Sequence, residues 1–132
     1  MDPKSTEDRF NAACQHFNNK EFFEAHEVWE DLWNEASGAR HPFLQGLIQI
    51  AVALHHAGNY NWVGMRKLFS SGLNYLERGA PDSDPIDVES LKDLVVDFAL
   101  AVQKVIPDEQ QKGAPSNGGE VELPFFELPR KT

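Results

Sequence analysis

The stretch Phe22-Phe23-Glu24-Ala25-His26-Glu27-Val28-Trp29-Glu30-Asp31-Leu32-Trp33 decides how this chain folds. Phe22, Ala25, Trp29, Leu32 and Ala36 recur at spacings of three and four, so they form one apolar seam of a helix, with Trp33 and then His26 at its edge. Glu24, Glu27, Asp31 and Glu35 read as a solvated acidic face. Glu30 follows His26 by one turn and is placed to hold the imidazole from behind. His26 and Glu30 are therefore the candidate catalytic pair, imidazole as base and carboxylate as orienter. The same geometry also suits a plain structural hydrogen bond between helices.

Working outward, apolar residues keep helical spacing nearly everywhere, and no segment alternates with period two. The spacing predicts helices over residues 6–18, with Ser5 or Thr6 as cap, over 20–37, from Pro42 to about residue 57, over 62–78, and from an Asp87 cap to a stop at Pro107. Asn18-Asn19, Gly38, Gly58-Asn59 and Gly79 read as the breaks between them, and residues 80–85 as a loop. The expected fold is all-α: a compact bundle of about five helices over residues 1–106, then a linker and an extended apolar tail over 107–132.

From Pro42 to Gly58 there is no Asp, Glu, Lys or Arg, and apolar or small residues cover almost the whole circumference. A helix apolar all round is a buried one. Gln45, Gln49 and His56 share a narrow sector of it, while His55 projects from the opposite side with Leu44, Ile48 and Ala51. Buried amides and imidazoles need partners, at a cost of about 1–3 kcal/mol for each left without one.

Twelve basic residues against 21 acidic ones give a net charge of −9, which argues against nucleic acid or an anionic membrane surface as the main partner. The longest uncharged run, residues 41–65, is too polar to span a bilayer, and residues 1–19 lack the layout of a signal peptide. Cys14 is the one cysteine, which suits a reducing cytoplasm, and its place on an apolar seam reads as packing. His16 and His41 read as surface residues. In the tail, Leu123-Pro124-Phe125-Phe126-Glu127-Leu128-Pro129 is expected to anchor in a groove of its own bundle or of a neighbouring subunit, because exposed aromatic clusters are costly.

The residues from Glu24 to Trp33, followed by Phe43-Leu44-Gln45-Gly46-Leu47-Ile48-Gln49, the histidine pair and Gly58-Asn59, resemble the small prokaryotic family catalogued as domain of unknown function 309. The resemblance covers roughly residues 10–76. It implies a compact helical bundle in a bacterium or archaeon, with motif positions on Glu24, His26, Glu27, Trp29, Glu30, Trp33, Gln49 and His56 or His55, and it brings no established activity. Asn61-Trp62-Val63 and the tail depart from the family pattern.

Two functions compete. In the first, a semi-buried polar site binds or turns over a small polar molecule. His26 and Glu30 would be catalytic, with Glu27, Trp33, Arg40 as anion clamp, Gln49, His55 and His56 as ligand-binding residues. In the second, the domain is a non-catalytic interaction or oligomerisation module whose polar residues fix helix register. No cofactor signature is present. No metal site is expected either: the His-Glu-x-x-Glu pattern lacks the second histidine of zinc-protease helices, leaving only a mixed set of His26, Glu30 and His56 or His55.

Overall fold

The computed structural model describes residues 5–79, 85–105 and 123–131. It contains five helices, α1 (Thr6–Asn18), α2 (Phe22–Glu35), α3 (Arg40–Gly58), α4 (Trp62–Gly79) and α5 (Val88–Val105), and no strand among the described residues. The fold is all-α. None of these helices is long and apolar enough to cross a membrane. The linker expected over residues 107–122 and most of the loop expected over 80–85 lie outside the described residues.

Local chemistry sets the helix ends. Ser5 Oγ accepts the Asp8 N–H at 3.1 Å and starts α1. Asp87 starts α5, its carboxylate accepting the Ser90 N–H at 3.1 Å and the Ser90 hydroxyl at 2.8 Å. Those two bonds hold the Asp87 carboxyl below the usual carboxylate range.

α2 is shorter than its apolar period suggests. Lys20 adopts a left-handed φ of 65°, and the Lys20 and Glu21 N–H groups return to the Phe17 and His16 carbonyls at 2.9 and 2.8 Å. α3 ends in the same way on Tyr60, at φ 61°, with the Tyr60 and Asn61 N–H groups bonded to the Ala57 and His56 carbonyls. At its other end α2 stops at Glu35 because Ala36 is extended, and Gly38, at φ 63°, turns the loop two residues later.

The helices run antiparallel in sequence order. Phe10 meets Trp29 and Arg9 meets Glu35 across α1 and α2; Phe23 meets His55 and Trp33 meets His41 across α2 and α3. α3 is the central element. Phe43, Leu44, Leu47, Ile50, Ala51, Ala53 and Leu54 are fully buried, and even Ile48 is only 7% exposed. α3 packs most extensively on α4, and glycines let the two backbones close in. A methyl group on Gly46 would come within 2.7 Å of the Leu76 side chain, and one on Gly79 would overlap the Phe43 backbone. Gly79 is both the last residue of α4, as its type suggests, and a helix-crossing residue.

The tail fills the space between the α1–α2 corner and α5. Phe125 packs on Phe22 and Phe98, Phe126 packs on Phe17 and Phe98, and Leu128 is buried. Its backbone is tied to the bundle just after the two rings. Leu128 N–H donates to Asn18 Oδ1 at 2.9 Å, and Pro129 O accepts the Asp87 N–H at 3.0 Å. This anchor lies on the same chain.

Candidate functional site

His26 is held by its own helix. Its Nδ1 lies 2.6 Å from the Phe23 carbonyl oxygen, three residues back. A carbonyl only accepts, so Nδ1 carries a proton, and the neutral tautomer compatible with this bond is the one with its lone pair on Nε2. Nε2 is 3.5 Å from Glu30 Oε2, an ion-pair separation that is long for a hydrogen bond. The group that fixes the tautomer is thus the Phe23 carbonyl and not Glu30. The Phe23 ring meets the imidazole edge-on at 4.8 Å and is itself 47% exposed. Phe23, His26, Glu27, Glu30 and Asp31 line a hollow of about 330 Å³. All five belong to α2.

The other candidate residues do not converge on this hollow. His55 lies near it, its ring 5.5 Å from Phe23, and its Nε2 accepts from Asn59 Nδ2 at 3.3 Å. His56 serves the turn between α3 and α4: its Nδ1 accepts from Asn61 Nδ2 at 3.3 Å while Asn61 Oδ1 accepts the Gly64 N–H at 3.0 Å. Gln49 faces α4, where its Cβ would be 3.3 Å from a methyl on Gly72, and its buried Oε1 has no donor among the described residues. Arg40 stands over the Phe10 ring at 5.3 Å and lines a separate hollow of about 400 Å³ with Thr6, Glu7, Asn11 and Pro85. Among the described residues no three His, Cys, Asp or Glu side chains are grouped to hold a metal ion, so His26, Glu30 and His56 are not assembled as ligands.

Trp33 belongs to a third hollow, of about 370 Å³, with His41, Pro42, Gln45, Tyr75 and Arg78. His41 is not a plain surface residue; it stacks on Trp33 with ring centroids 4.2 Å apart. Helical spacing could not find this hollow, because its residues come from the end of α2, the start of α3 and the end of α4. The one sequence signal was the lack of any acidic residue in the first turn of α3.

Cys14 behaves as packing. It is buried, and burial pushes its thiol up to about 11 against the opposing pull of Arg130.

Residues 10–68, from within α1 to within α4, match the family model described as a domain of unknown function (DUF309). The chain is also similar to the uncharacterized protein YpuF of Bacillus subtilis (strain 168), with 34% identity over 59 residues. That match covers 44% of this chain, and the chain spans about a third (34%) of the length of that relative. The segment holding α2, α3 and the His26 hollow lies wholly inside the matched residues, so it is this part of the chain that is similar to the DUF309 family.

Proposed function

We propose that this domain is a non-catalytic helical binding module, and that the outer face of α2 around Phe23 receives a basic segment of a partner protein. The observation that carries this reading is the exposed Phe23 ring at the head of a hollow lined by Glu27, Glu30 and Asp31. A lysine or arginine could lay its apolar stem and charge on the ring while its head reaches the carboxylates. Phe23 is pre-positioned by His26 and His55, which lowers the ordering cost of such a contact. Apart from the long contact of Glu30 with His26, none of these hollow carboxylates has an ion-pair partner among the described residues. A hollow made by one convex helix encloses a small molecule poorly, whereas a polypeptide can cover it from outside. The −9 charge and the single buried cysteine suit work in a reducing prokaryotic cytoplasm, away from nucleic acid and membranes.

The test is a titration with a short arginine-bearing peptide followed by NMR. Binding should weaken with salt and be lost in Phe23→Ala. Equal binding by Phe23→Ala, or by an uncharged peptide, would reject the reading.

A second reading, a small polar molecule deprotonated at His26, rests on the bond from Nδ1 to the Phe23 carbonyl, which makes Nε2 the nitrogen that would accept the proton. Its mark is a ligand lost in His26→Ala at unchanged stability.

A further inference from the structure

The hollow at the shared end of α2, α3 and α4 has the opposite character to the α2 face. Three helices build it, and no aspartate or glutamate lines it. Its polar groups can donate: the Arg78 guanidinium, the Gln45 amide, the Tyr75 hydroxyl and the His41 ring. Arg78 lies over the Tyr75 ring at 4.9 Å and has no carboxylate partner among the described residues.

Trp33 lines the hollow, and its Nε1, like those of Trp29 and Trp62 in the core, is buried with no acceptor among the described residues. Such a donor costs about 1–3 kcal/mol until something accepts from it. The start of α3 adds its own bias toward anions. Its cap residue, Ala39, supplies no side-chain acceptor, and its first turn holds no acid. The walls are flat and apolar: the stacked Trp33 and His41 rings, Pro42 and Tyr75. A volume of about 370 Å³ sits at the small end of the roughly 300–1,000 Å³ range of ligand pockets.

We infer that this hollow binds a small carboxylate carried on a flat apolar body. The Arg78 fork takes the carboxylate, Gln45 and the Trp33 N–H supply further donors, and the ring lies along the Trp33–His41 stack. This site is independent of the partner face around Phe23 and stands or falls without it.

Benzoate is the probe, followed by two-dimensional NMR of the full chain with the Trp33 indole resonance assigned through Trp33→Phe. The Trp33 N–H and the Gln45 side-chain amide should both shift on titration. Arg78 is exposed, so Arg78→Gln should fold and melt normally while weakening benzoate at least tenfold. Benzamide, which has the ring without the charge, should bind at least tenfold more weakly than benzoate, and inorganic phosphate should fail to displace it. Phe23→Ala should bind benzoate normally. Unmoved Trp33 and Gln45 signals at tens of millimolar benzoate, an unaffected Arg78→Gln, or equal binding of benzamide would overturn the site. Displacement by phosphate would overturn the assignment of a flat carboxylate.

Discussion

The two hollows touched by α2 differ in how they are made. The acidic one, around Phe23 and His26, is the surface of a single helix, so it exists wherever α2 exists. The basic one, around Trp33, His41 and Arg78, exists only while three helix ends are held together. The first depends on periodicity, the second on packing. That difference governs which mutations should reach each of them.

The largest expected effect comes from Gly79. A side chain there would overlap the Phe43 backbone at the α3–α4 crossing, next to Arg78. Gly79→Val should cost about 3 kcal/mol or more, since neither backbone can move away without uncovering the core. In the milder Gly79→Ala, the Trp33 and His41 resonances should move while those of Phe23 and His26 stay. Thermal melting and NMR check both arms. If Gly79→Val melts within about 0.5 kcal/mol of the parent, the helix crossing is misread.

The tail should act on the opposite end of α2. Phe125 packs on Phe22, the neighbour of Phe23, and Phe126 joins Phe17 to Phe98. Both tail rings are half-buried, so Phe126→Ala should cost about 2 kcal/mol. Its chemical-shift changes should fall around Phe22 and Phe23 and leave the Trp33–His41 stack unmoved. The reverse pattern would mean that the two hollows are coupled through α2.

The same division explains what could be read from the sequence. The limits of α1 were legible to the residue because Ser5 is a local cap, and the start of α5 because Asp87 is another. The closeness of His26, Glu27 and Glu30 on α2 was legible from helical spacing, whereas the hollow they line with Phe23 and Asp31 was not. The limits of α2 were blurred because Lys20, not an asparagine or glycine, takes the left-handed turn. Gly79 was legible as the end of α4, but its role at the helix crossing was not, because a glycine at a crossing and one after a helix look alike in sequence. His41, Tyr75 and Arg78 meet only after α3 and α4 have docked, and no spacing rule joins position 41 to position 78. His26 was assigned to Glu30 because side-chain patterns do not show backbone carbonyls, although helical side chains lean back toward residue i−3.

A smaller effect separates a helix-bound histidine from a lock between helices. His26 bonds within α2, so His26→Ala should change stability by less than about 1 kcal/mol. A loss of about 3 kcal/mol in chemical denaturation would mean that His26 fixes the register of α2 against α3, and the acidic hollow would no longer belong to one helix alone.

The smallest effect concerns Glu35, the last residue of α2. Arg9 reaches across from α1 and donates two N–H groups to it, at 2.9 and 2.8 Å. That pairing holds the Glu35 carboxyl below the usual range, first through the Arg9 hydrogen bonds and then through its charge. A carboxylate whose folded pKa is lowered stabilises the fold above its unfolded value, near the ordinary glutamate range. The benefit fades as pH falls through the folded value. The melting difference between the parent and Glu35→Gln should therefore be small and constant at neutral pH, then shrink toward zero as pH drops below about 4. It should also shrink in high salt, since both partners are near the surface. Glu35 is the α2 carboxylate that α1 has claimed, whereas Glu27 and Asp31 have no ion-pair partner among the described residues. A difference that grows on acidification would show that Arg9 does not hold Glu35 in solution, and the contact between α1 and the end of α2 would have to rest on Phe10 and Trp29 instead.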